Sequence, residues 1–306
     1  MNRKWRLRMV RAMLLVVLAV AGLAGGALWL GNRDVAPATR AEREQAYGRA
    51  VTWLRQHEAE ILKEPNIALW WFVHAAATET ADPYLVALME RYRAMAAREG
   101  VSRLLWWRMI DAQASVSPDS VQVQALAPYQ RFFLHALTCQ PVELSTGDTR
   151  AFLDERACRP ALTQNDPACT THQLIGVMLM AREACAPAAQ LSPLQVNLLG
   201  DIEQQMQWDI VVKDAYLQRM VMLMWQGKPE QIKAVWLRRV LMAQQPDGGW
   251  IGGRQLPELP RRLQPWQIRS QLAAWWPSRF QAHTGSDFHA TAQGLFITAM
   301  ALSEHR

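Results

Sequence analysis

Two histidines and an aspartate occupy the positions in this sequence that best suit acid–base chemistry. His172 and His289 each fall near the predicted start of an apolar helix, and Asp287 precedes His289 by two residues. Imidazole and carboxylate groups that share a site can move protons, as the cleavage of a glycosidic bond requires. The alternative is that each side chain caps or braces its own helix. We therefore treat these three residues as the catalytic candidates.

Tryptophan is the residue type that suggests a binding site, since the chain contains 14 of them. Trp70-Trp71, Trp106-Trp107 and Trp275-Trp276 are adjacent pairs, and neighbouring helical residues point about 100° apart. One ring of each pair can then face the core while the other lines a cavity. With Trp250, these residues predict an aromatic pocket for a lipid or a glycan. Ordinary core packing is the alternative.

The elements that must position these side chains are helices. Helix formers dominate the sequence and β-branched runs are scarce, which predicts an all-α protein. Apolar helices alternate with amphipathic ones at intervals of roughly 35–50 residues, as in stacked helical hairpins. A curved array of hairpins can close into a ring with the apolar helices inside, whereas a plain helical bundle is the alternative. The predicted inner helices are 67–78, 120–138, 170–184, 208–225 and 288–302.

The N-terminal segment differs in kind from the rest of the chain. Residues 1–11 carry five basic side chains, and the apolar run 12–30 reaches roughly 28 Å as a helix, close to the thickness of a hydrocarbon core. Basic flanks stay in the cytoplasm, so we expect a single-pass inner-membrane anchor, a linker at 31–39 and a periplasmic domain at 40–306. Cleavage of a signal peptide near Ala36-Pro37-Ala38 is the alternative.

The net charge does not indicate a nucleic-acid partner. The formal charge is +6, but of the 33 basic residues five belong to the N-terminal tail, which leaves 28 against 27 acidic ones. The remaining chain is nearly neutral, so its high isoelectric point reflects the tail and not a basic binding surface. The expected partners are the membrane and an envelope protein, a lipid or a glycan.

All four cysteines follow the apolar run, and an even number in an exported domain predicts two disulfides. If 120–138 and 170–184 are successive inner helices that point the same way, Cys139 and Cys185 share their C-terminal end. Cys158 and Cys169 then share the opposite end. This register favours the pairs Cys139–Cys185 and Cys158–Cys169, with four buried thiols as the alternative.

A short motif after the helix around Trp236 carries a family resemblance. Gln244, Gly248 and Trp250 have the spacing Gln-x-x-x-Gly-x-Trp, and the sequence contains no second copy that is as clear. The motif resembles the repeated glutamine–tryptophan motif of squalene–hopene cyclases and related α/α toroids. The segment 287–295 resembles the last inner helix of protein prenyltransferase β subunits. The resemblance implies an α/α toroid in which the Gln holds a helix end and the Trp stacks against it.

The chemistry of those families does not accompany the motif. Terpene cyclases need Asp-rich clusters, which the sequence lacks. Prenyltransferases bind zinc through an Asp-x-Cys pair and a later His; Asp166 and Cys169 have a different spacing, and Cys169 is a disulfide candidate. No phosphate-binding glycine loop is present either. We therefore expect no metal and no cofactor, and the resemblance predicts fold far better than activity.

These observations support two hypotheses about function. The first is a membrane-anchored periplasmic domain that binds a lipid, a glycan or a partner protein, or that serves as a scaffold in the envelope. The second is a toroid-type enzyme, either a carbohydrate lyase or a hydrolase, that uses His172, His289 and Asp287.

Overall fold

The computed structural model describes residues 3–114, 126–140, 153–154, 158, 168–226, 232–252 and 285–303. Within these ranges the fold is helical, and the backbone pairing of Trp250 with Asp287 is an isolated bridge. The all-α prediction is thus confirmed for the part of the chain described. The helices are α1 Arg3–Asn32, α2 Arg40–Gln56, α3 Glu58–Ile61, α4 Ile67–Thr80, α5 Pro83–Arg98, α6 Pro128–Thr138, α7 Cys169–Arg182, α8 Ala188–Trp208, α9 Asp214–Gln226, α10 Ala234–Ala243 and α11 Phe288–Ser303.

Local signals in the sequence explain where the helices begin. Thr39 and Glu42 form a capping box at the start of α2, and Asn66 caps α4 by accepting a hydrogen bond from the Ala68 N–H. Pro128 occupies the first turn of α6, where its missing N–H costs nothing. The predicted helix 208–225 starts in the wrong place, because Trp208 ends α8 and α9 begins only at Asp214.

Five helices contact one another in a cyclic order. α4 contacts α11, α11 contacts α9, α9 contacts α7, and α7 contacts α6. The short 3₁₀ helix Leu105–Met109 contacts both α6 and α4 and so completes the cycle. The amphipathic helices α2, α5, α8 and α10 each contact a member of this cycle. α11 is buried along most of its length by α4, α9 and α2, and its apolar residues accordingly run all round its surface.

The Gln-x-x-x-Gly-x-Trp motif joins three helices. The Gln244 amide donates to the carbonyls of Ala46, in α2, and Gly248, each at 2.8 Å. Trp250 is fully buried against α11, and its indole N–H donates to the Val240 carbonyl at 2.8 Å. A Cβ at Gly294 would overlap the Trp250 ring, so glycine is required where α11 passes the indole. We call this arrangement the Trp250 clasp.

Both disulfides have the connectivity that the inner-helix register favours. Cys139 is bonded to Cys185, just beyond the C-terminal ends of α6 and α7. Cys158 is bonded to Cys169, the first residue of α7. Among the described residues no cysteine is free. The first disulfide places the ends of α6 and α7 together, as two helices that run in the same direction require.

The N-terminal helix meets the rest of the protein only at its last turns. Within the described residues, Arg8–Asn32 is the one helix long and apolar enough to cross a membrane, and its hydrophobic span is exposed. At its end, Gly31 is buried, and the Gly31 carbonyl accepts a hydrogen bond from the Trp236 indole at 2.9 Å. The segment after it, expected to be a linker, supplies the carbonyls of Ala36 and Pro37 to Arg238.

Candidate functional site

A cavity of about 360 Å³ lies where the five helices of the contact cycle begin. This volume is at the lower end of the range of small-molecule sites, roughly 300–1,000 Å³. Each helix contributes residues from its first two turns, so the five N-terminal ends face one region. The lining consists of Pro65, Asn66, Ile67, Ala68, Leu69, Phe72, Trp106, Met109, Tyr129, Gln130, Phe133, His172, Ile175, Gln218 and His289.

Most of the cavity wall is apolar or aromatic. Phe72, Trp106, Tyr129 and Phe133 contribute rings from three separate elements. Tyr129 and Phe133 also contact each other edge to face, with ring centroids 5.6 Å apart. Apolar walls with a few polar groups are typical of sites for small amphipathic ligands, because the wall supplies burial energy and the polar groups supply orientation.

His172 forms part of this wall. Its ring stacks on Tyr129 with centroids 4.0 Å apart and planes inclined by 11°. It also meets Phe133 edge-on, with centroids 6.1 Å apart. The stacking fixes the imidazole plane, so His172 is held rigidly on the α7 side of the cavity. His172 therefore lies in the first turn of α7, at the wall of the cavity.

His289 lies on the α11 side of the same cavity and is paired with a carboxylate. Its Nε2 is 3.3 Å from Asp214 Oδ1, and the same oxygen accepts a hydrogen bond of 2.6 Å from Gln293 Nε2. The His289 and Asp214 side chains are 46% and 32% exposed, so solvent reaches both. A carboxylate that contacts an imidazole orients the ring, which is what a proton-transfer pair requires.

Asp287 has a structural role in this arrangement. Its carboxylate accepts hydrogen bonds of 2.7 Å from the Gly252 and Ala290 backbone N–H groups. The Asp287 N–H in turn donates to the Trp250 carbonyl. The side chain therefore caps α11 and ties its start to the Trp250 clasp. The carboxylate that contacts His289 comes from Asp214, on a different helix, and Asp214 itself does not line the cavity.

Of the tryptophans proposed as binding residues, Trp106 lines the cavity, and the other described ones belong to the core. Trp70 is fully buried and stacks on Tyr92 with ring centroids 3.9 Å apart. Trp71 is 7% exposed and packs on Trp225, and Trp250 forms the clasp. These three residues belong to the core. Trp275 and Trp276 lie outside the described residues.

A buried polar network supports the cavity from the α8 side. Gln218, which lines the cavity, accepts a hydrogen bond from Thr171 at 2.8 Å. Arg219, the next residue of α9, donates hydrogen bonds to Gln205 at 2.8 Å and to Asp209 at 2.6 Å. Burial lowers the pKa of the Arg219 guanidinium, and the charge of Asp209 opposes that shift. Because Gln205 also donates to Thr170, these contacts hold the end of α8 against the first turns of α7 and α9.

Several cavity residues escaped sequence reasoning. Phe72, Tyr129 and Gln218 carry no motif, and neither does Asp214, whose carboxylate contacts His289. Phe72 falls within two turns of the predicted helix start at residue 67. Tyr129 and Gln218 lie nine and ten residues after the predicted starts at 120 and 208, because α6 begins only at Pro128 and α9 only at Asp214.

Metal binding has no geometric support in the described part of the chain, where no group of three or more His, Cys, Asp or Glu side chains is arranged around one point. The cavity instead presents aromatic rings, amides and two imidazoles, one of which contacts Asp214. The chain matches no protein-family model, no curated protein and no solved structure.

Proposed function

We propose that this protein is a single-pass inner-membrane protein whose periplasmic α/α toroid binds a ligand in the cavity at the starts of its inner helices. The cavity itself is the observation that carries the proposal, because residues from five helices converge there around an aromatic wall. The cyclic contacts of those helices and the Trp250 clasp support the toroid and the resemblance to terpenoid cyclases and prenyltransferase β subunits. Two disulfides favour an oxidising compartment.

The contacts of α1 favour a retained anchor over a cleaved signal. Trp236 is fully buried, and its indole N–H is satisfied by the Gly31 carbonyl. Cleavage near Ala38 would remove that acceptor and the carbonyls that Arg238 binds. Leaving a buried donor unsatisfied costs about 1–3 kcal/mol. The folded domain is therefore more stable with its N-terminal segment attached.

Filling the cavity is expected to abolish ligand binding. Ala68 lines the cavity, so Ala68→Trp places a large ring in it, whereas Ala94→Trp makes the same change on the exposed face of α5. Native mass spectrometry of protein extracted in mild detergent should detect a co-purified adduct on the wild type and on Ala94→Trp. We expect Ala68→Trp to retain about tenfold less, the factor that 1.4 kcal/mol of lost binding produces.

Either of two results would contradict this proposal. One is an adduct of equal abundance on Ala68→Trp and Ala94→Trp. The other is a wild-type protein that carries no adduct from its native membrane. Circular dichroism should first establish that both variants are as helical as the wild type. Ala68→Phe provides a smaller obstruction if the tryptophan variant does not fold.

The His289–Asp214 pair favours a second candidate function, an enzyme that acts on carbohydrate. In a hydrolase the pair would activate a water that adds across the glycosidic bond. In a lyase His289 would remove a proton next to a carboxylate while the glycosidic oxygen leaves. His172, on the other side of the cavity, is the candidate partner in proton transfer.

Loss of the His289–Asp214 pair should then greatly lower the rate of carbohydrate cleavage. We expect His289→Gln and Asp214→Asn to reduce the rate by about 10²–10⁴, the usual contribution of general acid–base catalysis. His74→Gln is the matched control, because His74 lies on α4 outside the cavity lining. The assay follows new reducing ends and unsaturated products from envelope polysaccharides. A wild type that releases neither, or variants as active as His74→Gln, would eliminate this second function and leave binding intact.

A further inference from the structure

The end of the N-terminal helix is held rigidly against the rest of the protein. Asn32 Nδ2 donates to the Gln207 carbonyl at 3.1 Å, and Lys233 Nζ donates to Asn32 Oδ1 at 2.7 Å. Gly31 lies so close to the Gln207 carbonyl that a Cβ at this position would overlap it. The backbone of α1 therefore meets the last turn of α8 without a flexible spacer, which fixes the orientation of the domain relative to the helix.

The last turn of α8 lies at the same end of the fold as the cavity. Gln205 Nε2 donates to Thr170 Oγ1 at 2.9 Å, which joins the end of α8 to the first turn of α7. The next residue of α7, Thr171, donates to Gln218, and Gln218 lines the cavity. Three consecutive contacts thus lead from the end of α1 to the cavity wall. The second and third of these contacts lie at the N-terminal ends of α7 and α9.

This placement fixes where the end of α8 lies relative to the bilayer. The apolar run of α1 ends at Leu30, one residue before Gly31 meets Gln207. The polar layer of a bilayer is about 5–8 Å thick on each side of the hydrocarbon core. Trp208 is one residue, about 3.8 Å, beyond Gln207. The end of α8 must then lie within or next to the polar layer.

The exposed side chains at this junction are those expected at a membrane interface. Trp208 is 37% exposed, and Trp29 is 64% exposed near the end of the apolar run. The Arg33 guanidinium lies 5.7 Å from the centroid of the Trp29 ring. Tryptophan is enriched at the level of lipid headgroups, and cations there attract anionic lipids. The junction is therefore chemically suited to contact the bilayer surface.

We propose that the cavity opens towards the membrane and that its ligand is a lipid taken from the periplasmic leaflet. A water-soluble glycan is the competing ligand that the experiment below distinguishes from a lipid. The inference rests on the proposed binding function and the membrane anchor, and it adds the source and class of the ligand. The aromatic wall accepts apolar groups, while Gln130, Gln218 and His289 supply polar groups for a head region. A volume of about 360 Å³ takes part of a lipid, such as its headgroup or a length of one chain.

Site-specific photo-crosslinking tests both the orientation and the ligand class. The full chain is placed in nanodiscs of phosphatidylethanolamine and phosphatidylglycerol, with benzoylphenylalanine at Gln130 in the cavity lining. A second variant of the chain carries benzoylphenylalanine at Thr78, an exposed residue near the C-terminal end of α4 and outside the cavity lining. We expect lipid adducts at Gln130 that exceed those at Thr78 by about tenfold. Ala68→Trp should lower the Gln130 adduct by a similar factor, and Ala94→Trp should leave it unchanged.

Each other outcome overturns the inference in a distinct way. Equal lipid adducts at both positions would show that the cavity does not face the bilayer. A strong Gln130 adduct that Ala68→Trp leaves unchanged would place lipid outside the cavity. Absence of lipid at Gln130, together with a water-soluble adduct in native mass spectrometry, would refute the lipid while leaving the binding function standing. Absence of any adduct in both experiments would remove both proposals.

Discussion

Trp250→Ala is expected to lower the free energy of unfolding by about 4 kcal/mol, within the range of 3–5 kcal/mol that truncation of a buried Trp produces. The indole is fully buried, its N–H is bonded to the Val240 carbonyl, and Gly294 has no side chain that could expand into the space left. Because a domain is typically stable by only 5–15 kcal/mol, this loss is large. Guanidinium unfolding of the full chain in detergent, followed by circular dichroism, measures it.

Trp208→Ala is the matched control for that measurement. It removes the same side chain from a position that is 37% exposed, where surface substitutions usually change stability by about 0.5 kcal/mol. If the two variants unfold at the same denaturant concentration, the Trp250 clasp does not hold α10 against α11. Trp208→Ala also separates a membrane-interface role from a stabilising one, because its effect on folding in detergent should be small.

Removal of the Cys139–Cys185 disulfide should have an effect of comparable size. The two residues are separated by 46 positions, and chain-entropy arguments give about 4 kcal/mol for a loop of that length. The double variant Cys139→Ser/Cys185→Ser should therefore unfold at a markedly lower denaturant concentration. The bond also holds the C-terminal ends of α6 and α7 together, at the opposite end from the cavity.

The second disulfide provides an internal comparison. Cys158 and Cys169 are 11 positions apart, for which the same argument gives about 3 kcal/mol. Cys158→Ser/Cys169→Ser should thus be the milder variant, even though it lies nearer the cavity end of α7. A larger loss from the short loop would indicate that its bond stabilises the folded state by more than the entropy of loop closure.

The helix starts were largely predictable because their causes are local. Asn66 and Pro128 mark the beginnings of α4 and α6 through capping and through the absence of an N–H group. Trp208 shows where such reasoning fails. The apolar residues after Trp208 suggested an inner helix that starts there. The chain instead turns at residues 209–213, where Asp209 pairs with Arg219.

The Trp250 clasp was predictable as a motif, but its partners were not. The spacing of Gln244, Gly248 and Trp250 is visible in the sequence, and it resembles a motif that ties helix ends together. The Gln244 amide bonds to Ala46, nearly 200 residues away, and the Trp250 ring passes over Gly294. Such contacts depend on how α2 and α11 pack, and no local pattern contains that information.

The site residues likewise fall into those that the sequence suggested and those that only tertiary packing brings together. His172 and His289 were recognised because histidines near the starts of apolar helices are uncommon and chemically capable. Asp287 was chosen with them because it is adjacent in sequence, yet its carboxylate is occupied by two backbone N–H groups. Asp214 takes the place expected of Asp287, since the start of α9 lies beside the start of α11.

By itself, the sequence determined the helical class, the apolar N-terminal helix and the clasp motif, and it favoured the observed cysteine pairing over four buried thiols. Each follows from composition, from periodicity or from the order of elements along the chain, and these are properties of neighbouring residues. Only the tertiary structure decided that Phe72, Tyr129 and Gln218 meet at one cavity, that Asp214 contacts His289 beside it, and that the end of α1 lies at the same side of the fold. Those facts depend on long-range packing, in which residues far apart in sequence share one buried surface.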